Sequence, residues 1–130
     1  MIRWKKPDFK SEVQEFERTA SEKDMSLDNL IEWYKRGRLA PLTDQILKNM
    51  DNTDAFPGIT LPQAYKQAKK YQKDAERIVS QIMKGQGTLP APIVLKLKKG
   101  NKYYLIGGNT RLMIATAMDV KVQVYMIFQK

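Results

Sequence analysis

The stretch YYLIGGNTRLMIATAM, which begins at residue 103, carries the residues best suited to bind a ligand. A run with strand propensity meets Gly107 and Gly108, and Asn109, Thr110 and Arg111 then begin a helical apolar pattern. The first N–H groups of a helix lack intrahelical partners and lie at the positive end of its dipole, so they attract anions. Bare glycines let an anion reach the backbone, and an arginine adds a charged, forked donor. These five residues therefore predict a phosphate-binding site.

A structural explanation of the same residues stays open on local pattern. The two glycines could simply turn the chain, Asn109 could cap the helix, and Arg111 could form a surface salt bridge. If Arg111 instead serves an anion from an exposed position, its removal should weaken binding far more than it weakens the fold.

Other site chemistries are restricted by composition. The chain has no cysteine and no histidine, which excludes thiolate and imidazole metal ligands and the commonest general base. We therefore predict no metal site built by the protein alone. Residues 61–130 contain only Asp74, Glu76 and Asp119 as carboxylates, so Asp51 and Asp54 are loose candidates for a base or Mg²⁺ ligand. The catalytic residues are unknown, and the sequence leaves open whether the chain is an enzyme.

The net charge of +9 is concentrated in the C-terminal half of the 130 residues. Residues 1–60 carry 10 Lys and Arg against 11 Asp and Glu, and residues 61–130 carry 13 against 3, which gives net charges of −1 and +10. Such asymmetry indicates a polyanionic partner, nucleic acid before membrane. A lysine-rich, merely solvated surface is the alternative.

The N-terminal part, residues 1–60, is predicted as a helical extension packed on the core. Ser26 and Thr43 are expected helix caps and Gly37 a helix stop. A turn-rich connector, DNTDAFPGIT, follows.

The long segment that follows is predicted as one helix over residues 62–84, capped by Thr60 and ended by Gly85. Its buried stripe is expected to contain Ala64, Ala68, Tyr71, Ala75, Ile78, Val79 and Ile82. The opposite face carries the predicted nucleic-acid-binding residues Lys66, Lys69, Lys70, Lys73 and Arg77.

The period changes from helical to extended near residue 88. Residues 92–98 and 102–106 predict an antiparallel hairpin, residues 109–118 a helix, and VKVQVYMIFQ a final strand. The C-terminal half is thus expected to be β-β-α-β.

Three segments together resemble the ParB/sulfiredoxin-like superfamily, that is, the ParB N-terminal-like domain. They are VSQIMKGQGTLPAPIVLKL, KYYLIGGNTRLMIATAMDV and KVQVYMIF, in that order. The resemblance implies one α+β domain, with residues 61–130 as a core containing a small mixed sheet and residues 1–60 packed upon it.

The resemblance also implies a function. Members bind nucleotide phosphates at a G-x-x-R helix start, which matches Gly108, Asn109, Thr110 and Arg111 here, with Gly107 allowing the close turn. The implied cofactor is a nucleoside triphosphate with Mg²⁺, and the implied role is to act on or beside nucleic acid. Sulfiredoxin chemistry is excluded because no cysteine is present. A full CTP-switched partition clamp is not expected, because the chain given ends after the last strand.

Two alternatives remain within this fold. GNTR resembles the G-x-T-R variant of kinase-like members, so a small kinase or nuclease is possible if a carboxylate lies near Arg111. An adaptor of phage or mobile-element type could instead have lost the nucleotide and bind a host protein, with Trp4 and Trp33 at the contact. No apolar run reaches the roughly 18 residues of a membrane span, so we expect a cytoplasmic protein with no membrane partner.

Overall fold

The computed structural model describes residues 2–130, which form helices and short strands in alternation. The helices are α1 (Phe9–Glu22), α2 (Leu27–Lys35), α3 (Asp44–Lys48), α4 (Leu61–Lys70), α5 (Ala75–Lys84) and α6 (Asn109–Ala117). The strands are β1 (Arg3–Lys5), β2 (Arg38–Pro41), β3 (Met50–Asp51), β4 (Thr88–Pro90), β5 (Ile93–Lys96), β6 (Tyr103–Gly107) and β7 (Gln123–Phe128).

Five strands form a mixed sheet in the order β2-β7-β5-β6-β3, and β1 pairs with β4 in a separate parallel pair. The central strand β5 runs antiparallel to β6 and parallel to β7. At the edges, β2 is antiparallel to β7 and β3 is parallel to β6. The predicted α+β class with a small mixed sheet is confirmed.

The sheet is covered on both faces. Successive strand residues point to opposite faces, yet Ile93, Val94 and Leu95 of β5 are all buried, as are residues 124–127 of β7. Helices α1 and α2 contact β6 and β7, while α4 and α5 pack against α6. Because residues 112–115 of α6 are also fully buried in succession, α6 is enclosed on all sides, and only its ends can carry a site.

The C-terminal predictions are confirmed in order and type: an antiparallel pair, a helix from residue 109, and a final strand. Ser26, Thr43 and Thr60 each cap a helix through the side-chain oxygen, as predicted. The N-terminal part is less helical than expected, because β1, β2 and β3 also lie there. These short strands form only through pairing with β4, β7 and β6, which are distant in sequence.

The single helix predicted over residues 62–84 is wrong, since α4 and α5 are separate. Gln72 adopts a left-handed φ of 57°, and its N–H bonds to the Lys69 carbonyl, while the Lys73 N–H bonds to the Ala68 carbonyl. This pair of hydrogen bonds is a Schellman motif, which ends α4. Asp74 then accepts a hydrogen bond from the Arg77 N–H and caps α5.

The break changes which side chains are buried. Ala64, Ala68, Ala75, Ile78 and Ile82 are buried as the stripe predicted. Tyr71, which the stripe also included, is the C-cap of α4 and is 47% exposed. The five basic residues consequently lie on α4, in the short turn between α4 and α5, and on the first turn of α5, rather than on one continuous helix.

Gly37 lies directly against β7, where no side chain fits. A Cβ at this position would lie 2.6 Å from Tyr125 Cε2 and 2.8 Å from Ile127 Cγ2. The Tyr125 ring cannot easily move, because its hydroxyl donates to the Tyr34 carbonyl and its ring packs on the Tyr34 ring.

We expect Gly37→Ala to lower the free energy of unfolding by about 1–3 kcal/mol, as overpacking does in cores. Urea denaturation followed by circular dichroism measures this. An alanine that leaves stability unchanged, or raises it through reduced unfolded-state entropy, would show that β7 yields at this contact.

Candidate functional site at the start of α6

The start of α6 is formed by two glycines with different roles. Gly108 is the N-cap residue, with a left-handed φ of 93° and no side-chain cap. A Cβ there would lie 2.9 Å from both Arg111 Nη2 and Pro92 Cα. Gly107 ends β6 without a positive φ. Gly108 therefore makes the turn that was expected of Gly107, and Gly107 provides the bare surface beside it.

Arg111 reaches back from the first turn of α6 to two acceptors. Its Nη2 lies 3.1 Å from Glu12 Oε1 in a salt bridge, and its Nε donates to the Pro90 carbonyl at 2.8 Å. The side chains of Arg111 and Glu12 are only 21% and 11% exposed. Arg111 is thus not the exposed cation that was expected, and it joins α6 to α1 and to β4.

The carboxylate of Glu12 occupies the space above Gly107. A Cβ at Gly107 would lie 2.8 Å from Glu12 Oε2, so any larger residue would displace the carboxylate. An anion is therefore already present beside the bare glycine and in contact with Arg111, which is where phosphate was predicted.

Glu12 is the residue that sequence reasoning missed. It lies in the first turn of α1, on the same buried stripe as Phe16 and Thr19. A glutamate at a stripe position is the signal that could have found it, because a buried carboxylate requires a partner. Nothing in the local sequence identifies that partner as Arg111, 99 positions away.

Further contacts hold α1 in this position. Phe16 is fully buried and packs edge-on against Tyr34. The Tyr104 hydroxyl of β6 donates to Glu22 at the end of α1. Burial, together with this hydrogen bond to Glu22, raises the pKa of Tyr104 to about 12, so the hydroxyl remains a donor to higher pH than an ordinary tyrosine would.

Asn109 faces the connector between β3 and α4. Its Oδ1 accepts hydrogen bonds from the Thr53 hydroxyl at 2.7 Å and the Asp54 N–H at 3.1 Å, and its Nδ2 donates to Asp54 Oδ2 at 3.0 Å. Asn109 is therefore a link to the connector and not the helix cap. Thr110 lies beside it at intermediate exposure.

Two carboxylates consequently flank the start of α6. Glu12 is bound by Arg111 and Asp54 by Asn109, while Asp51 is exposed on β3. The negative charge of Asp54, and then hydrogen bonding to it, raises the pKa of the Tyr71 hydroxyl at the end of α4. Across residues 2–130, no group of three or more His, Cys, Asp or Glu could hold a metal ion.

The five basic residues of the predicted nucleic-acid surface are all solvent-exposed. Lys66, Lys69 and Lys70 lie on α4, Lys73 lies in the turn between α4 and α5, and Arg77 lies on α5. None of the ion pairs found within residues 2–130 involves them. Their charges are therefore available to a partner.

No family model matches this chain. The curated proteins and the solved structures give no match either. Within the described part of the chain, every helix is too short or too polar to cross a membrane. Phosphate binding, nucleic-acid binding and the ParB-like assignment all stay predictions.

We expect Arg111→Ala to lower the free energy of unfolding by about 1–3 kcal/mol, because it leaves the Glu12 carboxylate poorly solvated and unpaired. A double-mutant cycle with Glu12→Ala should give a coupling energy of about 0.5–3 kcal/mol. The control is the exposed pair of Glu32 and Lys35, whose charged atoms lie 3.2 Å apart. Its coupling energy should be less than about 0.5 kcal/mol. Equal coupling in the two cycles would mean that the Arg111 pair contributes no more than a surface contact.

Proposed function

We propose that this protein is a ParB-like domain that binds a nucleotide phosphate at the start of α6 and acts on or beside nucleic acid. The observation that supports it best is the Glu12 carboxylate beside Gly107 and Arg111. An oxyanion held at a bare helix start by an arginine has the chemistry of a phosphate site, with an internal group standing where the ligand's oxygen would lie.

Phosphate binding requires Glu12 to leave this position. The carboxylate is on a flexible side chain, so rotation about its own bonds can release Arg111 while Phe16 keeps α1 anchored. A phosphate carries more negative charge than a carboxylate and offers more acceptor oxygens to a guanidinium. It can therefore replace Glu12 at Arg111, at the cost of exposing the carboxylate to solvent.

Mg²⁺ would enter with the nucleotide rather than before it. The resemblance suggests a nucleoside triphosphate with Mg²⁺, and Mg²⁺ commonly keeps several waters and is held by one or two carboxylates plus phosphate oxygens. Asp54, bound to Asn109 at the same helix start, is the carboxylate best placed to contribute. A kinase or nuclease activity would need this residue as well.

The nucleic-acid role is supported by the exposed lysines of α4 and of the turn that follows it, which take part in none of the ion pairs found within residues 2–130. Fixed positive charge on one surface displaces counterions from a phosphate backbone, which drives sequence-independent binding. Since nucleic acid and nucleoside triphosphates are both cytoplasmic ligands, we propose that the protein works in that compartment.

The phosphate site is tested by calorimetric titration with inorganic pyrophosphate and with nucleoside triphosphates, each with and without Mg²⁺. We expect Arg111→Ala to weaken binding by about tenfold to a hundredfold, because one charge-assisted contact contributes about 1.5–3 kcal/mol. Glu12→Gln should strengthen binding by about fivefold, since a neutral amide competes less well for Arg111 by about 1 kcal/mol.

The matched control is Glu17→Gln, which changes the net charge equally at an exposed position of the same helix and should leave affinity unchanged. If neither the natural protein nor Glu12→Gln binds any of these ligands, Arg111 serves the fold alone.

The nucleic-acid role is tested by reversing Lys66, Lys69, Lys70 and Lys73 to Glu. This variant should lose binding to duplex DNA in fluorescence anisotropy, and the affinity of the natural protein should fall steeply with salt. The control reverses four exposed lysines elsewhere, Lys98, Lys99, Lys102 and Lys121, and carries the same net charge. Equal losses in the two variants would assign binding to total charge rather than to the surface of α4.

A second function, the adaptor of phage or mobile-element type, is favoured by one observation. Arg111 is already satisfied by Glu12 and the Pro90 carbonyl, as a purely structural residue would be. Loss of stability without any phosphate affinity in the experiments above would support it. Of the expected contact residues, Trp4 is buried, with its indole N–H donating to the Lys121 carbonyl, whereas Trp33 is partly exposed, so of these two only Trp33 is accessible to a host protein.

A further inference from the structure

Tyr71 is an aromatic residue on the surface with a structural reason to remain there. The Schellman motif at Gln72 ends α4 just after it, so Tyr71 does not continue the buried stripe of Ala64 and Ala68. Its side chain is 47% exposed. Large aromatic residues usually bury most of their area, so this exposed ring is available to a ligand.

The Tyr71 ring is flanked in the chain by three of the predicted nucleic-acid-binding residues. Lys69 and Lys70 precede Tyr71, Lys73 follows it, and the Lys70 Nζ lies 5.9 Å from the ring centroid. The negative charge of Asp54, and then hydrogen bonding to it, raises the pKa of the Tyr71 hydroxyl. The exposed ring thus lies next to three lysines in the chain, and the ammonium of Lys70 is within cation–π range of it.

A second exposed ring, Phe56, lies in the connector between β3 and α4. Phe56 follows Asp54 by two residues, so their Cα atoms are at most about 7 Å apart. Phe56 is 45% exposed. The connector and the end of α4 thus carry one exposed aromatic ring each.

We infer that Tyr71 is a stacking platform for a base of single-stranded nucleic acid, with the flanking lysines on its phosphates. This inference rests on the proposed nucleic-acid role and specifies its ligand. Single strands expose the faces of their bases, which stack on aromatic rings between basic residues. In a duplex those faces are covered by neighbouring bases, so Tyr71 could contribute little.

The test compares a 12-nucleotide single strand of thymidines with a duplex of equal length, measured by fluorescence anisotropy at one salt concentration. Tyr71→Ala should weaken binding to the single strand by about 5- to 150-fold, the range for one stacked base. Binding to the duplex should change by less than about twofold. Tyr71→Phe should retain affinity for the single strand, because it keeps the ring and removes only the hydroxyl.

Two further variants separate stacking from other losses. Tyr71→Leu keeps apolar bulk without an aromatic plane and should behave as Tyr71→Ala does. Met83→Ala removes a side chain that is 75% exposed on α5 and should change neither affinity.

The outcomes distinguish the inference from the function beneath it. If the lysine reversal abolishes binding but Tyr71→Ala leaves single-strand affinity unchanged, or weakens both ligands equally, the stacking role is wrong and the basic surface stands. If the natural protein binds neither ligand, both are overturned.

Discussion

The salt bridge between Glu12 and Arg111, together with the hydrogen bond from Arg111 to Pro90, joins three parts of the chain. Glu12 comes from α1, Arg111 from the first turn of α6, and the Pro90 carbonyl that accepts from Arg111 Nε ends β4. Because both side chains are largely removed from water, neither charge can be left alone without a large desolvation cost. The packing of α1 over Gly107 therefore depends on Arg111, and the orientation of Arg111 depends on α1.

This mutual dependence joins stability to ligand binding. A residue that binds an external anion is usually free to do so, whereas Arg111 is paired with Glu12 and, in the proposed function, would first have to release it. The free energy of phosphate binding would then be the difference between the free energies of two anion contacts at the same guanidinium. The internal contact with Glu12 therefore lowers the affinity for phosphate. The same geometry is compatible with a chain that has kept the fold and uses the pair for packing alone, so the balance between the two anions decides which function the site performs.

A second network continues from the start of α6 to the surface. Asn109 holds Thr53 and Asp54, and the negative charge of Asp54 raises the pKa of the Tyr71 hydroxyl at the end of α4. The proposed phosphate site and the proposed nucleic-acid surface are therefore joined by one connector.

The amino-acid sequence by itself determined the local elements of this protein. Caps at Ser26, Thr43 and Thr60, the change of period near residue 88 and the glycines before α6 are short-range signals, and each is found where it was predicted. Only the tertiary structure decided the pairing of β1, β2 and β3, the end of α4 at a non-glycine residue, and the partner of Arg111. The strand pairings and the Glu12–Arg111 pair depend on contacts across tens of residues, for which no single sequence carries a local signature, whereas α4 ends through local hydrogen bonds around Gln72. A glutamate on an apolar stripe signals that a buried cation is needed, but the fold alone selects which one.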